Sequence, residues 1–142
     1  MRGVSNDLRD VSGAVAWVDA EVAGAGLPEE ARNRIGVCLE EALVNLITHG
    51  QAAEDQKGIE LTVTADSHGA TILISDCCVP FDVTREAPPA APTKEDMHEG
   101  GMGIRLLRAF ATEIAYASSG GRNTLAMIIR PNGQDIKASA SR

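Results

Sequence analysis

Residues 35–50 read Ile-Gly-Val-Cys-Leu-Glu-Glu-Ala-Leu-Val-Asn-Leu-Ile-Thr-His-Gly, and this stretch decides the fold. Its apolar residues recur every three or four positions, as on one face of a helix: Ile35, Leu39, Ala42, Leu43 and Leu46. At about 100° per residue, Glu41 and Asn45 lie within about 40° of each other, whereas Glu40 lies far around the helix. We therefore predict a helix over 29–49 in which a carboxylate and an amide border the buried stripe.

Helical and strand patterns continue on both sides of this helix. Apolar residues three or four positions apart predict a first helix over 6–24. Alternating apolar and polar residues over 59–65, the turn Asp66-Ser67-His68-Gly69 and the strand pattern Thr71-Ile72-Leu73-Ile74 predict a β-hairpin. The rest of the chain adds a third helix near 104–111, strands over 113–118 and 124–130, and a polar tail over 132–142.

The order of these elements, α-α-β-β-loop-α-β-β, predicts an α+β fold. Strands joined as hairpins form an antiparallel sheet, and the helices then have one sheet face to cover. We expect a two-layer α/β sandwich in which three helices cover one face of a mostly antiparallel sheet. A chain of 142 residues fits one domain, residues 1–131. No periodicity survives over about 77–102, which predicts a long loop. Loops of this length in a small domain are usually functional lids or disordered segments, and we expect a lid.

Composition excludes several classes of protein. The net charge is −7 with no basic cluster, which argues against a nucleic-acid surface. No apolar run reaches the ~18–20 residues of a membrane span, and the N-terminus lacks the apolar stretch of a signal peptide. The three cysteines lack the number and spacing of a disulfide framework or a zinc site. We expect a soluble, cytoplasmic protein that binds neither nucleic acid nor membrane.

Two further segments are candidates for a binding site. Gly100-Gly101-Met102-Gly103 leads into the third helix, where free backbone N–H groups and the helix dipole attract an anion such as phosphate. Asp76 ends a strand, where a carboxylate can accept a hydrogen bond from the exocyclic amine of adenine. Each feature also has an ordinary alternative: a loop end for the glycines, a turn cap for Asp76, and a solvated helix pair for Glu41 and Asn45.

Taken in order, these segments resemble the N, G1 and G2 boxes of the GHKL ATPases. The matching residues are Glu41-x-x-x-Asn45, Asp76-x-x-x-Pro80-Phe81-Asp82 and Gly100-Gly101-Met102-Gly103-Ile104. The sequence is most similar to the small bacterial anti-sigma-factor serine kinases that act in partner switching. The likeness runs from the first helix to about Arg130 and includes the turn Gly121-Arg122-Asn123. It implies a Bergerat-type ATP site between sheet, helices and lid.

The resemblance also implies roles for individual residues. Asn45 would hold Mg²⁺ against the phosphates of ATP, and Glu41 would polarise the attacking serine hydroxyl. Asp76 would take the adenine amine, with Thr124 as a weaker candidate beside it. The backbone at Gly101 and Gly103 would approach the phosphates. The implied protein substrate is a STAS-type anti-sigma-factor antagonist, and the implied bound partner is a sigma factor.

The chain departs from the family pattern at two places. The G1 box has glycine two residues after the aspartate, where this chain has Cys78, and a Cβ there narrows the approach to adenine. The second hypothesis is therefore a degenerate module that binds a regulatory partner without phosphoryl transfer. The first five residues leave little room for the family's N-terminal strand, so we expect a missing or altered edge strand, consistent with a homodimer. A third hypothesis is the ATP-binding half of a histidine kinase.

Overall fold

The computed structural model describes residues 2–4, 7–49, 58–77 and 101–132, except for the side chains of His49 and of residues 101–105. Strand β1 (Arg2–Val4) leads through a short 3₁₀ helix (Leu8–Asp10) into helix α1 (Val11–Gly24) and helix α2 (Glu29–His49). The hairpin strands β2 (Ile59–Asp66) and β3 (Gly69–Asp76) follow. Helix α3 (Gly101–Phe110) then precedes strands β4 (Glu113–Ser119) and β5 (Arg122–Ile129).

The five strands form one sheet in the order β1-β2-β3-β5-β4, and every neighbouring pair is antiparallel. The turn of the first hairpin is fixed where the His68 backbone N–H donates to the Asp66 carboxylate at 2.7 Å. The second hairpin turns at Gly120 and Gly121, whose φ angles of +62° and +78° favour glycine. The register of β3 on β5 places Asp76 directly opposite Asn123.

The core lies between the helices and one face of the sheet. Every second residue of β3 is buried, as a strand with one face against a core requires. The helices contribute mostly valine, leucine and alanine, so the core is aliphatic, as the scarcity of aromatic residues predicts. The predicted fold class, an α+β two-layer sandwich with three helices on a mostly antiparallel sheet, is confirmed.

Arg34 of α2 connects this helix by hydrogen bonds to the ends of α3 and β5. Its guanidinium donates to the carbonyl oxygen of Phe110 at the end of α3, at 3.0 Å, and to that of Arg130 just after β5, at 2.7 Å. Glu30, one turn earlier on α2, pairs with Arg34 and also accepts from the Asn132 backbone N–H at 2.6 Å. The start of α2 is therefore held where α3 and β5 end.

Two expectations from the sequence need correction. The N-terminal residues do form an edge strand: Arg2, Gly3 and Val4 pair with β2, because three residues suffice for a short edge strand whose Val4 reaches the core. The argument for a homodimer through an open β2 edge is thereby removed. Helix α3 begins at Gly101, earlier than the predicted start near 104. Most of the predicted lid and the polar tail lie outside the described residues.

Candidate functional site

The predicted site residues lie away from the Arg34 anchor. Helix α2 continues from Arg34 toward its own C-terminus, whereas α3 reaches Arg34 at its last residue, Phe110. The end of β5 also lies at this anchor, and Asp76 lies at the other end of the β3–β5 pair. At 1.5 Å per residue, α2 rises roughly 16 Å between Arg34 and Asn45, and α3 rises roughly 14 Å from Phe110 back to Gly101. The amide of Asn45, the N-terminus of α3 and the carboxylate of Asp76 therefore each lie away from the Arg34 anchor.

The sheet supplies the floor of this site, defined here as Asp76, Asn123 and Ser118. Asp76 is only 6% exposed and Asn123 only 2% exposed, although both are polar. The Asn123 side-chain amide donates to Asp76 Oδ1 at 2.9 Å. The Ser118 hydroxyl in turn donates to Asn123 Oδ1 at 2.6 Å. The buried carboxylate is thus held by a hydrogen-bonded chain that reaches β4.

Thr124 does not lie beside Asp76. Successive side chains of a strand point to opposite faces, so Thr124 and Asn123 cannot share a face of the sheet. The Thr124 hydroxyl instead lies 3.3 Å from the Ser75 hydroxyl on the face away from the helices. This corrects the expectation that Thr124 assists Asp76, because the residue opposite Asp76 is Asn123.

Asn123 is the functional candidate that the sequence reasoning missed. The signal was present: Asn123 stands two residues before Leu125 and continues the alternation through Met127 and Ile129, all on the core side. A polar residue in that alternation is a buried polar residue, and such a residue needs a hydrogen-bond partner. What the sequence did not supply was the register that sets this residue against Asp76.

Helix α2 supplies the wall of the site, defined here as Glu41 and Asn45. Both side chains are half-buried and lie one helical turn apart. The Asn45 Nδ2 atom is buried without a hydrogen-bond partner, a state it shares among the described side chains only with Arg2 Nη1. Burial raises the pKa of Glu41 above its ordinary value, and the neighbouring Glu40 carboxylate raises that pKa further. Glu41 therefore holds a proton more readily than an exposed glutamate.

The remaining predicted residues are placed in part. Gly101 and Gly103 lie in the first turn of α3, whose leading backbone N–H groups have no partner inside the helix. A helix N-terminus of this kind attracts phosphate. Cys78 lies outside the described residues.

The wall fits a magnesium nucleotide. Proteins rarely bury an amide nitrogen without a hydrogen-bond partner. We therefore expect a bound ligand to interact with the Asn45 amide. Rotation of that amide would present either its nitrogen as a donor or its oxygen to a cation. Mg²⁺ commonly takes one or two protein oxygens and completes its shell with phosphates and water. In the described ranges no group of three His, Cys, Asp or Glu side chains could hold a metal ion.

Comparison with known sequences gives consistent matches. The histidine kinase-like ATPase domain family matches residues 4–129. The serine/threonine-protein kinase BtrW of Bordetella bronchiseptica is 30% identical over 115 residues, covering 80% of this chain and 81% of that protein. The anti-sigma F factor of Bacillus licheniformis is 30% identical over 86 residues, covering 60% of this chain and 59% of that protein.

Solved structures support the fold. The histidine kinase domain of the blue-light activated histidine kinase EL346 from Erythrobacter litoralis superposes with a TM-score of 0.54 at 18% identity. The superposition covers 91% of this chain and 61% of that one. At this identity the likeness concerns the fold alone. None of the helices in the described part of the chain is long and apolar enough to cross a membrane.

Proposed function

Because the chain belongs to the histidine kinase-like ATPase domain family, as the order of its sequence boxes predicts, we propose that it is an ATP-dependent protein serine kinase of the anti-sigma type. Its substrate would be a serine of a STAS-type anti-sigma-factor antagonist, and its bound partner a sigma factor. The names of its relatives support this proposal, since one is a serine/threonine-protein kinase and another an anti-sigma F factor.

The Asn45 amide nitrogen, which is buried without a hydrogen-bond partner among the described residues, carries the proposal. An unsatisfied buried polar group costs about 1–3 kcal/mol, and such costs are kept where function requires them. Glu41, one helical turn away, has a pKa raised by burial, which makes it a stronger base than an exposed glutamate. An amide that can coordinate a cation and a carboxylate that can act as a base toward a hydroxyl therefore lie one helical turn apart.

Each residue has a definite task in this proposal. Asn45 would turn its amide oxygen to Mg²⁺, and Glu41 would accept the hydrogen bond of the substrate serine and orient its oxygen for attack. Asp76 would accept the adenine amine, and the N–H groups at Gly101 and Gly103 would receive phosphate oxygens. Bound Mg·ATP would supply the γ-phosphoryl group with its charge partly neutralised. The protein's contribution is then positioning and charge stabilisation, which dominate catalysis of phosphoryl transfer.

Calorimetric titration of ATP, with and without Mg²⁺, tests the site. We expect micromolar, Mg²⁺-dependent binding to the unmodified protein and none to Asn45→Ala. Asn33→Ala is the matched control, because Asn33 lies on the same helix with its side chain exposed. Equal affinity in Asn45→Ala and Asn33→Ala would contradict the role of Asn45.

A transfer assay with an antagonist domain tests the reaction. Glu41→Ala should bind Mg·ATP normally and transfer no phosphate, and transfer by this variant would remove Glu41 from the mechanism. The product should be acid-stable, as phosphoserine is. Acid-labile phosphate would instead indicate phosphohistidine and the chemistry of a histidine kinase.

Cys78 supports a second candidate function, a degenerate module that binds its regulatory partner without turnover. Its side chain stands where the resembling family has glycine, two residues after Asp76. No binding at millimolar ATP, together with recovery of binding in Cys78→Gly, would favour this candidate over the kinase.

A further inference from the structure

We propose that Asn123 is a positioning residue of the adenine site, which holds the Asp76 carboxylate in the orientation that receives a 6-amino group. Ser118 would support the Asn123 amide by donating to its oxygen. This inference rests on the proposed function, in which Asp76 accepts the adenine amine. It adds two residues that the boxes of the sequence do not contain.

The hydrogen bonds of Asn123 give its amide a direction. Its Oδ1 accepts from the Ser118 hydroxyl at 2.6 Å, and its Nδ2 donates to Asp76 Oδ1 at 2.9 Å. A flipped amide would place its oxygen against the Asp76 carboxylate, which offers only acceptors when ionised. The Asp76 carboxylate therefore sets the direction of the amide, and the Ser118 hydroxyl donates to the amide oxygen in that orientation.

The amide in turn orients the carboxylate. A carboxylate offers about four lone-pair sites, and the bond from Asn123 takes one of them. The bond to Oδ1 fixes the rotation of the carboxylate about its last torsion, which is otherwise broad. An Asp76 carboxylate held in one orientation favours a purine with an amine at position 6. It disfavours a purine with a carbonyl or a hydrogen at that position.

Burial makes this arrangement effective. Asn123 is 2% exposed and Asp76 is 6% exposed, so little water competes for their hydrogen bond. Hydrogen bonds to charged groups in such surroundings are stronger than those at the surface. The positions opposite each other on β3 and β5 also keep the two side chains together through the sheet itself.

The test compares ATP with purine riboside 5′-triphosphate, which lacks the 6-amino group. Dissociation constants are measured for the unmodified protein, Asn123→Leu, Ser118→Ala and the control Ser75→Ala. Ser75 lies next to Asp76 but on the other face of the sheet. Leucine approximates the shape of asparagine without its donor, and Ser118 is exposed, so Ser118→Ala keeps the test valid if Asn123→Leu fails to fold.

We expect Asn123→Leu to weaken ATP binding by about tenfold and to leave binding of the analogue unchanged. Ser118→Ala should show the same pattern with a loss of about threefold, and Ser75→Ala should change neither constant. Equal weakening of both nucleotides would mean that Asn123 only supports the fold, and no change would mean that it does not orient Asp76. Either result would overturn this inference while leaving the proposed function intact. Absence of ATP binding to the unmodified protein would overturn both.

Discussion

The floor and the wall of the candidate site each pair a carboxylate with an asparagine, yet the two pairs are in opposite states. On the floor, Asn123 donates to Asp76 and both groups are almost fully buried. On the wall, the Asn45 amide nitrogen is buried without a partner in the described part of the chain, and burial raises the pKa of Glu41. The polar pair on the sheet is therefore hydrogen-bonded within the protein, whereas the pair on the helix has hydrogen-bonding capacity left for a ligand.

This difference separates recognition from chemistry. A hydrogen-bonded pair is held in one geometry before the ligand arrives, which suits recognition of a base. An unpartnered amide and a carboxylate with a raised pKa lower the stability of the free protein. Binding of a cation to the amide and of a hydroxyl to the carboxylate offsets this destabilisation. The comparison thus predicts opposite effects on stability when each pair is broken.

The largest effect is expected on the floor. Asn123→Leu removes the donor to a buried carboxylate, and the free energy of unfolding should fall by about 2 kcal/mol. Urea denaturation of the unmodified protein and the variant measures this change. Ser118→Ala should destabilise less, because it removes a hydroxyl at an exposed residue. An unchanged denaturation midpoint in Asn123→Leu would remove the contrast between floor and wall.

The next effect has the opposite sign and lies on the wall. Asn45→Ala should raise the free energy of unfolding by about 1 kcal/mol, because it removes an unsatisfied buried amide and adds a residue of higher helix propensity. Asn33→Ala gives the propensity gain alone, since Asn33 is exposed on the same helix. The difference in free energy of unfolding between these two variants measures the contribution of the buried amide nitrogen. A lower free energy of unfolding in Asn45→Ala would show that the Asn45 amide already makes stabilising hydrogen bonds in the free protein.

A smaller effect of the same sign is expected at Glu41, and it depends on pH. A carboxyl group whose folded-state pKa is raised stabilises the protein at low pH and loses that contribution as pH rises through the folded pKa. Glu41→Gln should therefore unfold at a higher temperature than the unmodified protein at about pH 7, and the difference should vanish toward about pH 4. Glu21→Gln, at an exposed position on α1, controls for the change in net charge. A difference independent of pH would assign the effect to something other than titration.

The fold could be predicted from the sequence because its patterns are local. The buried stripe of α2, the two hairpins and the helix-breaking segments each occupy a few neighbouring residues, and these predictions match the structure. The N-terminal strand was not predicted, because three residues carry too short a pattern. Its strand conformation depends on pairing with β2, which is remote in sequence.

The candidate site could be predicted only where one element decides it. Glu41 and Asn45 share a helix face, so their neighbourhood follows from a spacing of four residues. The pairing of Asp76 with Asn123 depends on the register between β3 and β5, which are separated by α3 and β4. Thr124 was named from the family resemblance, and the register places its side chain on the other face of the sheet from Asp76.

The smallest effect is expected at Thr124, on the far face of the sheet. Thr124→Val removes a hydroxyl that lies 3.3 Å from the Ser75 hydroxyl, in a pair that is only half-buried. Water can replace the lost partner, so the free energy of unfolding should change by less than about 0.5 kcal/mol. The dissociation constant for ATP should not change. A loss in Thr124→Val as large as that in Asn123→Leu would show that strand pairing, and not the hydrogen bond to Asp76, sets the cost of substitution at this end of β5.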